Sequence, residues 1–272
     1  MMKLYTEVRA TADLRFLAMA VLACVSWQAD AGSGQCEARS STNRVTVLEL
    51  YTSEGCNSCP PADRWLSTLP AKGFTPDRMI PLAFHVDYWD QLGWPDRMAK
   101  AQFSARQRMQ AERNRTSVIY TPQLLLNGAD YRKSSSDSGF GDRVNELNRL
   151  PAAADLVLRQ RPVSSNIEVE LEAQLVRTAG NNAQTYVAIT ENRLQSEIKA
   201  GENQGKLLHH DFVVREFAGP LPMDATGRVH WRSAMALNPG WKRPDLSLVA
   251  FVQDARSGEI LQALQAPLCA GP

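Results

Sequence analysis

An apolar run that leads directly into two closely spaced cysteines constrains this 272-residue chain more than any other feature. Residues 45–51 have the composition of a buried strand, and Cys56-x-x-Cys59 follows within five residues of its end. Pro60-Pro61 comes next, and proline is tolerated in the first turn of a helix. Because unpaired N–H groups and the helix dipole favour a thiolate at a helix start, this layout predicts a chemically reactive pair of thiols.

The overall composition is that of a globular protein. Hydrophobic residues make up 44% of the chain, charged residues 22%, and the formal net charge is +1. No long basic run stands out, so we expect no nucleic-acid partner. The chain has no glycine-rich phosphate loop and no G-x-S-x-G elbow, and we assign it no cofactor.

The N-terminus has the three parts of a secretory signal peptide, which we place at residues 1–31. Basic residues precede an apolar run over 16–27, and Ala29-Asp30-Ala31 provides a small-x-small cleavage site. The run is too short to span a bilayer comfortably, and a buried N-terminal helix is the structural alternative. We therefore predict a periplasmic or secreted protein with no transmembrane segment after cleavage. A lipoprotein attached through Cys24 is the weaker alternative, because the cleavage site is the better motif.

Export changes how the remaining cysteines are interpreted, because disulfides persist in oxidising compartments. Cys56 and Cys59 are neighbours and pair naturally. Cys36 and Cys269 are then left for a structural disulfide that joins the two ends of the chain, with two free thiols as the alternative. In the loop-entropy description, so long a closure contributes roughly 5 kcal/mol to stability.

The chain divides into two predicted segments. Over residues 36–150, strand and helix patterns alternate, which is typical of an α/β fold. Over residues 158–269, short strand patterns such as the one at 207–217, separated by turn signals, favour an all-β, sandwich-like domain. Within the second segment, residues 167–175 alternate strictly between apolar and polar positions, as in a strand with one wet face. In the first segment we predict strands at 45–51, 79–86 and 117–127, helices at about 60–69, 96–114 and 142–150, and a serine-rich loop at 134–141.

Residues 45–128 resemble the thioredoxin-like superfamily. More narrowly, residues 49–63 (ELYTSEGCNSCPPAD) and 85–94 (HVDYWDQLGW) resemble a family of exported bacterial proteins catalogued only as a domain of unknown function. Thr121-Pro122-Gln123 also resembles that family, and so do residues 201–203 and 209–215. The resemblance covers nearly all of the mature chain. It implies a thioredoxin-like fold with a C-terminal β extension, and it implies no established reaction.

The superfamily resemblance implies roles for individual residues. Cys56, at the exposed start of the helix, would be the nucleophile, and Cys59, deeper in the first turn, the resolving thiol. Pro122 would contact the substrate backbone. We expect the Thr121–Pro122 bond to be cis, because a cis-proline opens the corresponding strand in thioredoxin-like folds. An ordinary edge-strand proline is the alternative.

Four further residues have more than one interpretation. Glu49, on the strand that leads into the motif, either points inward as a proton acceptor beneath the cysteines or lies on an exposed strand face. Trp89 and Trp94 either line a substrate-binding rim together with Thr121 or pack against the following helix. His85 either tunes the thiols or is a core histidine, and we favour the core histidine.

The sequence does not predict a metal centre. Zinc at the cysteine pair would need two further ligands, and the chain has no second C-x-x-C and no H-x-x-x-H. His209 and His210 would point to opposite faces of a strand and chelate poorly. Copper(I) held by two thiolates stays open as an alternative.

We therefore predict an exported protein resembling thiol–disulfide oxidoreductases, which acts through Cys56 and Cys59 on a protein or small thiol/disulfide substrate. The alternative is a non-catalytic thioredoxin-like binding module whose cysteines form a structural disulfide or a soft-metal site. Neither prediction assigns an oligomeric state.

Overall fold

The computed structural model describes residues 28–30, 34–132, 139–176 and 182–270. Most of the predicted signal peptide, including Cys24, lies outside these ranges, as does most of the predicted serine-rich loop. The described strands are β1 (Gln28–Asp30), β2 (Gln35–Arg39), β3 (Thr46–Thr52), β4 (Met79–His85), β5 (Gln123–Leu126), β6 (Ala129–Asp130), β7 (Ala154–Val163), β8 (Asn166–Leu175), β9 (Ala183–Glu191), β10 (Leu194–Glu197), β11 (Leu207–His210), β12 (Val213–Pro222), β13 (Arg228–Ala236), β14 (Leu246–Asp254) and β15 (Ile260–Pro267). The α-helices are α1 (Pro60–Thr68), α2 (Ala101–Arg113) and α3 (Phe140–Asn148).

A mixed eight-stranded sheet forms the centre of the molecule, in the order β15-β14-β9-β12-β4-β3-β5-β6. β3 and β4 are parallel, and β5 is antiparallel to β3. β12 joins β4 in parallel, with Val213 opposite Ala83. Strands from both predicted segments therefore belong to one sheet, and the predicted division does not separate two independent sheets.

A second sheet has the order β1-β2-β7-β8-β13. β7 occupies Ala154–Val163, so the chain that we predicted to connect the two segments is itself a strand. Its apolar positions Ala154, Leu156 and Leu158 are buried at alternate places, which is the period of a half-buried strand. β2, from the first predicted segment, pairs with β7 in this sheet.

The layers are held together by three apolar cores. One lies between the two sheets and includes Leu156 and Leu248. α1 and α3 pack on β3 and β5 through a second core that contains Leu50 and Leu66, whereas α2 covers the other face of the central sheet, where Phe103 meets Phe84. Alternate residues of β3 therefore face α1 and α2 in turn.

Several predicted elements are confirmed. β3 is buried at every position, which explains its continuous apolar run. α1 begins with Pro60 and Pro61 after Cys59, and Gly73 adopts a left-handed φ of +82° just beyond the 3₁₀ turn that follows α1. β8 has the predicted alternation, with apolar residues such as Val169 buried.

Three predicted boundaries are wrong. α2 begins at Ala101 instead of 96, because the Asp96 carboxylate accepts the backbone N–H of Met98 at 2.9 Å and the preceding residues form turns. The predicted strand 117–127 is reduced to Gln123–Leu126. The predicted strand 207–217 is split into β11 and β12 at Phe212, which has a φ of +59°.

Candidate disulfide site

Cys56 and Cys59 form a disulfide in the turn between β3 and α1, with Cα atoms 5.5 Å apart. The Cys56 N–H donates to the Ser53 carbonyl at 3.2 Å, and the Cys59 N–H donates to the Cys56 carbonyl at 3.3 Å. These two tight turns carry the chain from the end of the strand into the helix. The pair is therefore mounted at the start of α1, as the sequence predicts.

The expectation that Cys56 is exposed is wrong. Cys56 and Cys59 both have 0% relative exposure, although the intervening Asn57 and Ser58 are exposed. The turn packs closely against Trp89 on one side, because a Cβ at Gly55 would lie 3.2 Å from the Trp89 Cβ and 3.5 Å from its carbonyl oxygen. The covering comes from tertiary contacts that a local motif does not reveal.

The helix start also offers fewer N–H groups to the sulfurs than the motif implies. Pro60 and Pro61 have no N–H. The next two donors, on Ala62 and Asp63, both bond the Cys59 carbonyl, at 2.9 and 3.2 Å. The hydroxyl of Ser58 lies 3.3 Å from the Cys56 sulfur, within hydrogen-bond distance.

Asp63 provides a buried carboxylate on the helix that carries Cys59. It follows Cys59 by four residues, so the two side chains share one face of α1. Asp63 is 5% exposed and accepts a hydrogen bond from the Thr52 hydroxyl at 3.1 Å. Burial raises the pKa of Asp63, although His210 and His85 oppose the shift. The i, i+4 spacing on a predicted helix was the sequence signal for this residue, and our sequence reasoning missed it.

Glu49, the carboxylate predicted for that role, points inward but is not a free base. It lies on the α2 face of β3, where its two oxygens accept hydrogen bonds from the Arg106 guanidinium, both at 2.8 Å. Tyr51 and Gln110 donate to the same carboxylate at 2.7 and 3.1 Å. Because alternate residues of β3 face opposite sides of the sheet, Glu49 faces away from the Leu50 side, which α1 covers.

A buried histidine–carboxylate pair lies at the end of β4. His85 Nδ1 is 2.6 Å from an Asp96 carboxylate oxygen, and that carboxylate also accepts the Glu54 N–H at 2.9 Å. Burial opposes charge on both groups, but their mutual attraction prevails: it raises the pKa of His85 and lowers that of Asp96 to about 2. His85 is thus a core histidine, as predicted, with a charged partner.

Glu54 connects this pair to the second half of the chain. Its carboxylate accepts the Trp94 indole N–H at 2.8 Å and lies 3.5 Å from His210 Nε2. Burial acts to raise the pKa of Glu54, but the nearby His210 ring and the hydrogen bond from Trp94 help to lower it. The His210 and His85 rings meet edge to face, 5.0 Å between centroids. His209 is exposed while His210 is buried, so the two rings do take opposite faces.

The predicted substrate-side residues lie beside the turn. Gln123 is opposite Tyr51 in the antiparallel pair of β3 and β5. Pro122, which precedes Gln123, therefore lies at the end of the sheet where β3 ends at Thr52 and the cysteine turn begins. The Thr121–Pro122 bond is cis, as predicted. Trp89 donates its indole N–H to the Thr121 hydroxyl at 2.8 Å. Trp89 and Trp94 are both half-buried, and their indole N–H groups bond Thr121 and Glu54.

A hairpin from the second half of the chain holds the cysteine turn from outside. We call residues 194–210, which comprise β10, β11 and their connection, the docking hairpin. The Asn203 side-chain amide, fully buried, donates to the carbonyls of Glu54 and Cys56 at 2.8 and 2.9 Å. Glu202 accepts the Asn57 N–H at 3.1 Å. Our sequence reasoning noticed residues 201–203 only as part of the resemblance and gave them no role.

The second disulfide joins Cys36 in β2 to Cys269 beyond β15, with Cα atoms 5.9 Å apart. The pairing predicted from the sequence is confirmed. Because the two cysteines are 233 residues apart, this bond closes most of the chain into one loop.

Within the described ranges, one group of three ligating side chains brings its atoms within 4.8 Å of one another: Glu170, Glu172 and His230. They lie on the five-stranded sheet. Arg159 donates to Glu172 at 2.7 Å and Arg232 to Glu170 at 2.8 Å. These carboxylates are therefore already neutralised by arginines, and the group is an ion-pair surface.

The fold and the site define a strand-rich, mixed α/β protein with two disulfides, one of them buried in a C-x-x-C turn. Residues 47–253 match the family described as "Protein of unknown function (DUF1223)", and the chain belongs to this family. No curated protein matches it. No helix in the described part of the chain combines the length and the apolar character that crossing a membrane requires.

The solved structures that resemble this chain include two that match most of its length. The first, described as protein AGR_C_4864 from Agrobacterium tumefaciens, is 26% identical, with a TM-score of 0.61, and the match covers 85% of this chain and 98% of that one. The second, HBP35 of Porphyromonas gingivalis, is 16% identical, with a TM-score of 0.63, and the match covers 85% of this chain and 77% of that one. The second likeness concerns the fold alone.

Proposed function

We propose that this protein is an exported thiol–disulfide oxidoreductase that acts through Cys56 and Cys59 on a protein or small thiol/disulfide substrate. The observation that carries the proposal is the placement of the cysteine pair at the start of α1, with the buried Asp63 carboxylate one turn further on. A carboxylate with a raised pKa in this position can take the proton from the resolving thiol.

The arrangement of elements supports a thioredoxin-like fold for the first part of the chain. β3, α1 and β4 form a parallel βαβ unit, and α2, the β5–β6 hairpin and α3 follow it. In the order β4-β3-β5-β6, β3 and β5 are antiparallel neighbours. The C-terminal end of β3, which leads into the cysteine turn, therefore lies at the same end of the sheet as Pro122 at the start of β5. This is the relationship that the resemblance implies for substrate binding.

Export is supported by cysteine usage. Four cysteines of the described chain form two disulfides, and such bonds are characteristic of oxidising compartments. Together with the signal-peptide pattern at residues 1–31, they favour the periplasm or the extracellular space.

In the proposed reaction Cys56 forms the mixed disulfide and Cys59 resolves it. Asn57 and Ser58 are exposed, so the approach to Cys56 lies over this dipeptide, and a substrate sulfur must displace the neighbouring cover before it reaches Cys56. The buried Cys59 then has no access to water as a base, and Asp63 on the same helix face accepts its proton.

Trapping tests the proposal. In a Cys59→Ala variant no resolving thiol is present, so mixed disulfides between Cys56 and its substrates should accumulate. Non-reducing electrophoresis and mass spectrometry then identify these substrates after export. The double variant Cys56→Ala/Cys59→Ala is the matched control and should yield none of them. If the single variant forms no mixed disulfide with exported proteins or with oxidised glutathione, the proposed thiol–disulfide oxidoreductase function is excluded.

The complete burial of both sulfurs favours a second candidate, a binding module in which Cys56–Cys59 is a structural bond. The two functions differ in how the bond responds to a dithiol. A structural bond is reduced only when the protein unfolds, so its reduction rate follows the urea concentration. An oxidoreductase is reduced by dithiothreitol under native conditions at a rate that sub-denaturing urea does not change.

A further inference from the structure

We propose that the Cys56–Cys59 pair is an electron donor, a reductant of substrate disulfides, and that Glu202 on the docking hairpin sets this direction. The inference rests on the proposed function and adds to it the sense of the reaction. Glu202 acts on Cys56 through the backbone of Asn57, so it is a positioning residue and not a catalytic one.

The first step is the position of the charge. Glu202 accepts the N–H of Asn57, the residue directly after Cys56, at 3.1 Å. Asn203 fixes the hairpin there, because its buried amide donates to the carbonyls of Glu54 and Cys56. The carboxylate is thus held at the peptide bond that follows Cys56 and occupies a backbone donor that a thiolate at Cys56 could otherwise use.

The second step is electrostatic. Reduction of the disulfide gives two thiols, and a thiol reacts as its thiolate. A carboxylate near Cys56 raises the free energy of that thiolate. When the thiolate form is stabilised, as in strongly oxidising pairs, the reduced state is favoured. An environment that destabilises the thiolate favours the disulfide instead, so the reduced pair is a strong reductant.

The rest of the site acts mostly in the same direction. Both sulfurs are buried, which disfavours an anion, and Pro60 and Pro61 remove two N–H groups from the first turn. The charged or ionisable groups that surround the turn are Glu54, Asp63, Asp96, His85, His210 and Lys206. Three of these groups are carboxylates. His85 is already paired with Asp96, and His210 contacts Glu54. The Lys206 ammonium donates to Oδ1 of the Asn203 side chain at 2.8 Å.

The reaction balances as follows. The Cys56 thiolate attacks a substrate disulfide, forms a Cys56–substrate bond and releases one substrate thiolate, which takes up a proton. Cys59 passes its proton to Asp63 and attacks the Cys56 sulfur, which releases the second substrate sulfur as a thiolate. Asp63 then gives its proton up through solvent, and this thiolate takes up one proton. Two electrons and two protons have moved to the substrate. A dithiol donor of the same compartment returns the oxidised pair to the reduced state.

The experiment is a redox titration of the purified mature protein, with the reduced fraction measured by thiol alkylation. The wild type should stay oxidised in glutathione buffers and become reduced in dithiothreitol buffers. Glu202→Gln keeps an acceptor for Asn57 and removes the charge, so it should raise the equilibrium constant for reduction about threefold to tenfold. Tenfold corresponds to about 30 mV. Because Glu202 is exposed, this difference should shrink in high salt.

Glu197→Gln is the matched control. Glu197 is an exposed carboxylate of the same hairpin whose partner is Lys199, and its loss should leave the equilibrium constant unchanged. A wild type half-reduced by glutathione, or a Glu202→Gln variant equal to wild type at low salt, overturns the inference. The titration does not require turnover. An electron-donating pair that traps no substrate would therefore count against the proposed function and leave the electrostatic role of Glu202 standing.

Discussion

Asp63 lies one helical turn beyond Cys59 on α1, and both side chains are buried on the same face of the helix. Burial raises the pKa of Asp63, which shifts it in the direction of the pKa of a thiol. The relationship assigns a proton acceptor to the resolving cysteine and directs the first prediction.

Asp63→Asn should slow the resolution of a mixed disulfide at Cys56 by about 100-fold, because general base catalysis contributes effects of this size. The measurement is the single-turnover release of a thiol probe from the Cys56 adduct. The adduct itself should form at the wild-type rate. Equal rates of release in the two proteins would remove Asp63 from the mechanism.

The same substitution should stabilise the fold at neutral pH. Since burial raises the folded-state pKa of Asp63 above its ordinary 3.8, the wild type loses stability as the pH rises through the folded value. Asparagine does not ionise, so the difference in urea midpoint between variant and wild type should grow from acid to neutral pH. A difference that does not depend on pH would contradict the assignment.

His85 and Asp96 predict a pH dependence through their ion pair. The folded-state pKa of His85 is raised, so its contribution to stability is complete below about pH 6.5 and is lost as the pH rises through the folded value. Asp96, with a pKa of about 2, contributes above its ordinary value and is lost only in strong acid. His85→Gln should cost about 3–5 kcal/mol near pH 6 and less at alkaline pH, measured by urea unfolding.

The exposed neighbour His209 provides the control for that experiment. His209→Gln should change stability by less than about 0.5 kcal/mol at any pH. A His85→Gln penalty of equal size at acid and alkaline pH would show that the ion pair contributes nothing beyond packing.

Arg106 and Glu49 form a buried pair enclosed by aromatic rings, with the guanidinium 4.7 Å from the Tyr186 ring centroid. Arg106→Met leaves the carboxylate buried without its charged partner and should cost about 3–5 kcal/mol in chemical denaturation. Glu49→Gln/Arg106→Met should recover part of that loss. Neither change touches the cysteine side of the sheet, so resolution of the mixed disulfide at Cys56 should proceed at the wild-type rate in Glu49→Gln. Slower resolution there would restore Glu49 as a catalytic base.

The terminal disulfide predicts a large stability effect without a functional one. Replacing Cys36 and Cys269 together by serine should lower the free energy of unfolding by roughly 5 kcal/mol, because the bond closes most of the chain. The redox equilibrium of Cys56–Cys59 should remain at the wild-type value. A shifted equilibrium would indicate that the two disulfides exchange.

The sequence predicted those features that depend on neighbouring residues. The β3 run, the turn Cys56-x-x-Cys59 and the prolines that begin α1 lie within a short stretch, where local periodicity and helix-start chemistry decide the structure. The pairing of Cys36 with Cys269 followed from counting cysteines alone. The predicted division at residues 150–158 stays a prediction, because β7 overlaps this stretch and pairs with β2 from the first predicted segment and β8 from the second.

Tertiary structure decided everything that depends on what covers a residue. Whether Glu49 was a base or an ion-pair partner depended on Arg106, 57 positions away. The burial of Cys56 and the charge beside it depended on Glu202 and Asn203, about 150 positions away. Local sequence determines the thiols and the helix that carries them. Their solvent access and electrostatic field arise from packing between distant segments, because burial and Coulomb energy depend on distance in space and not along the chain.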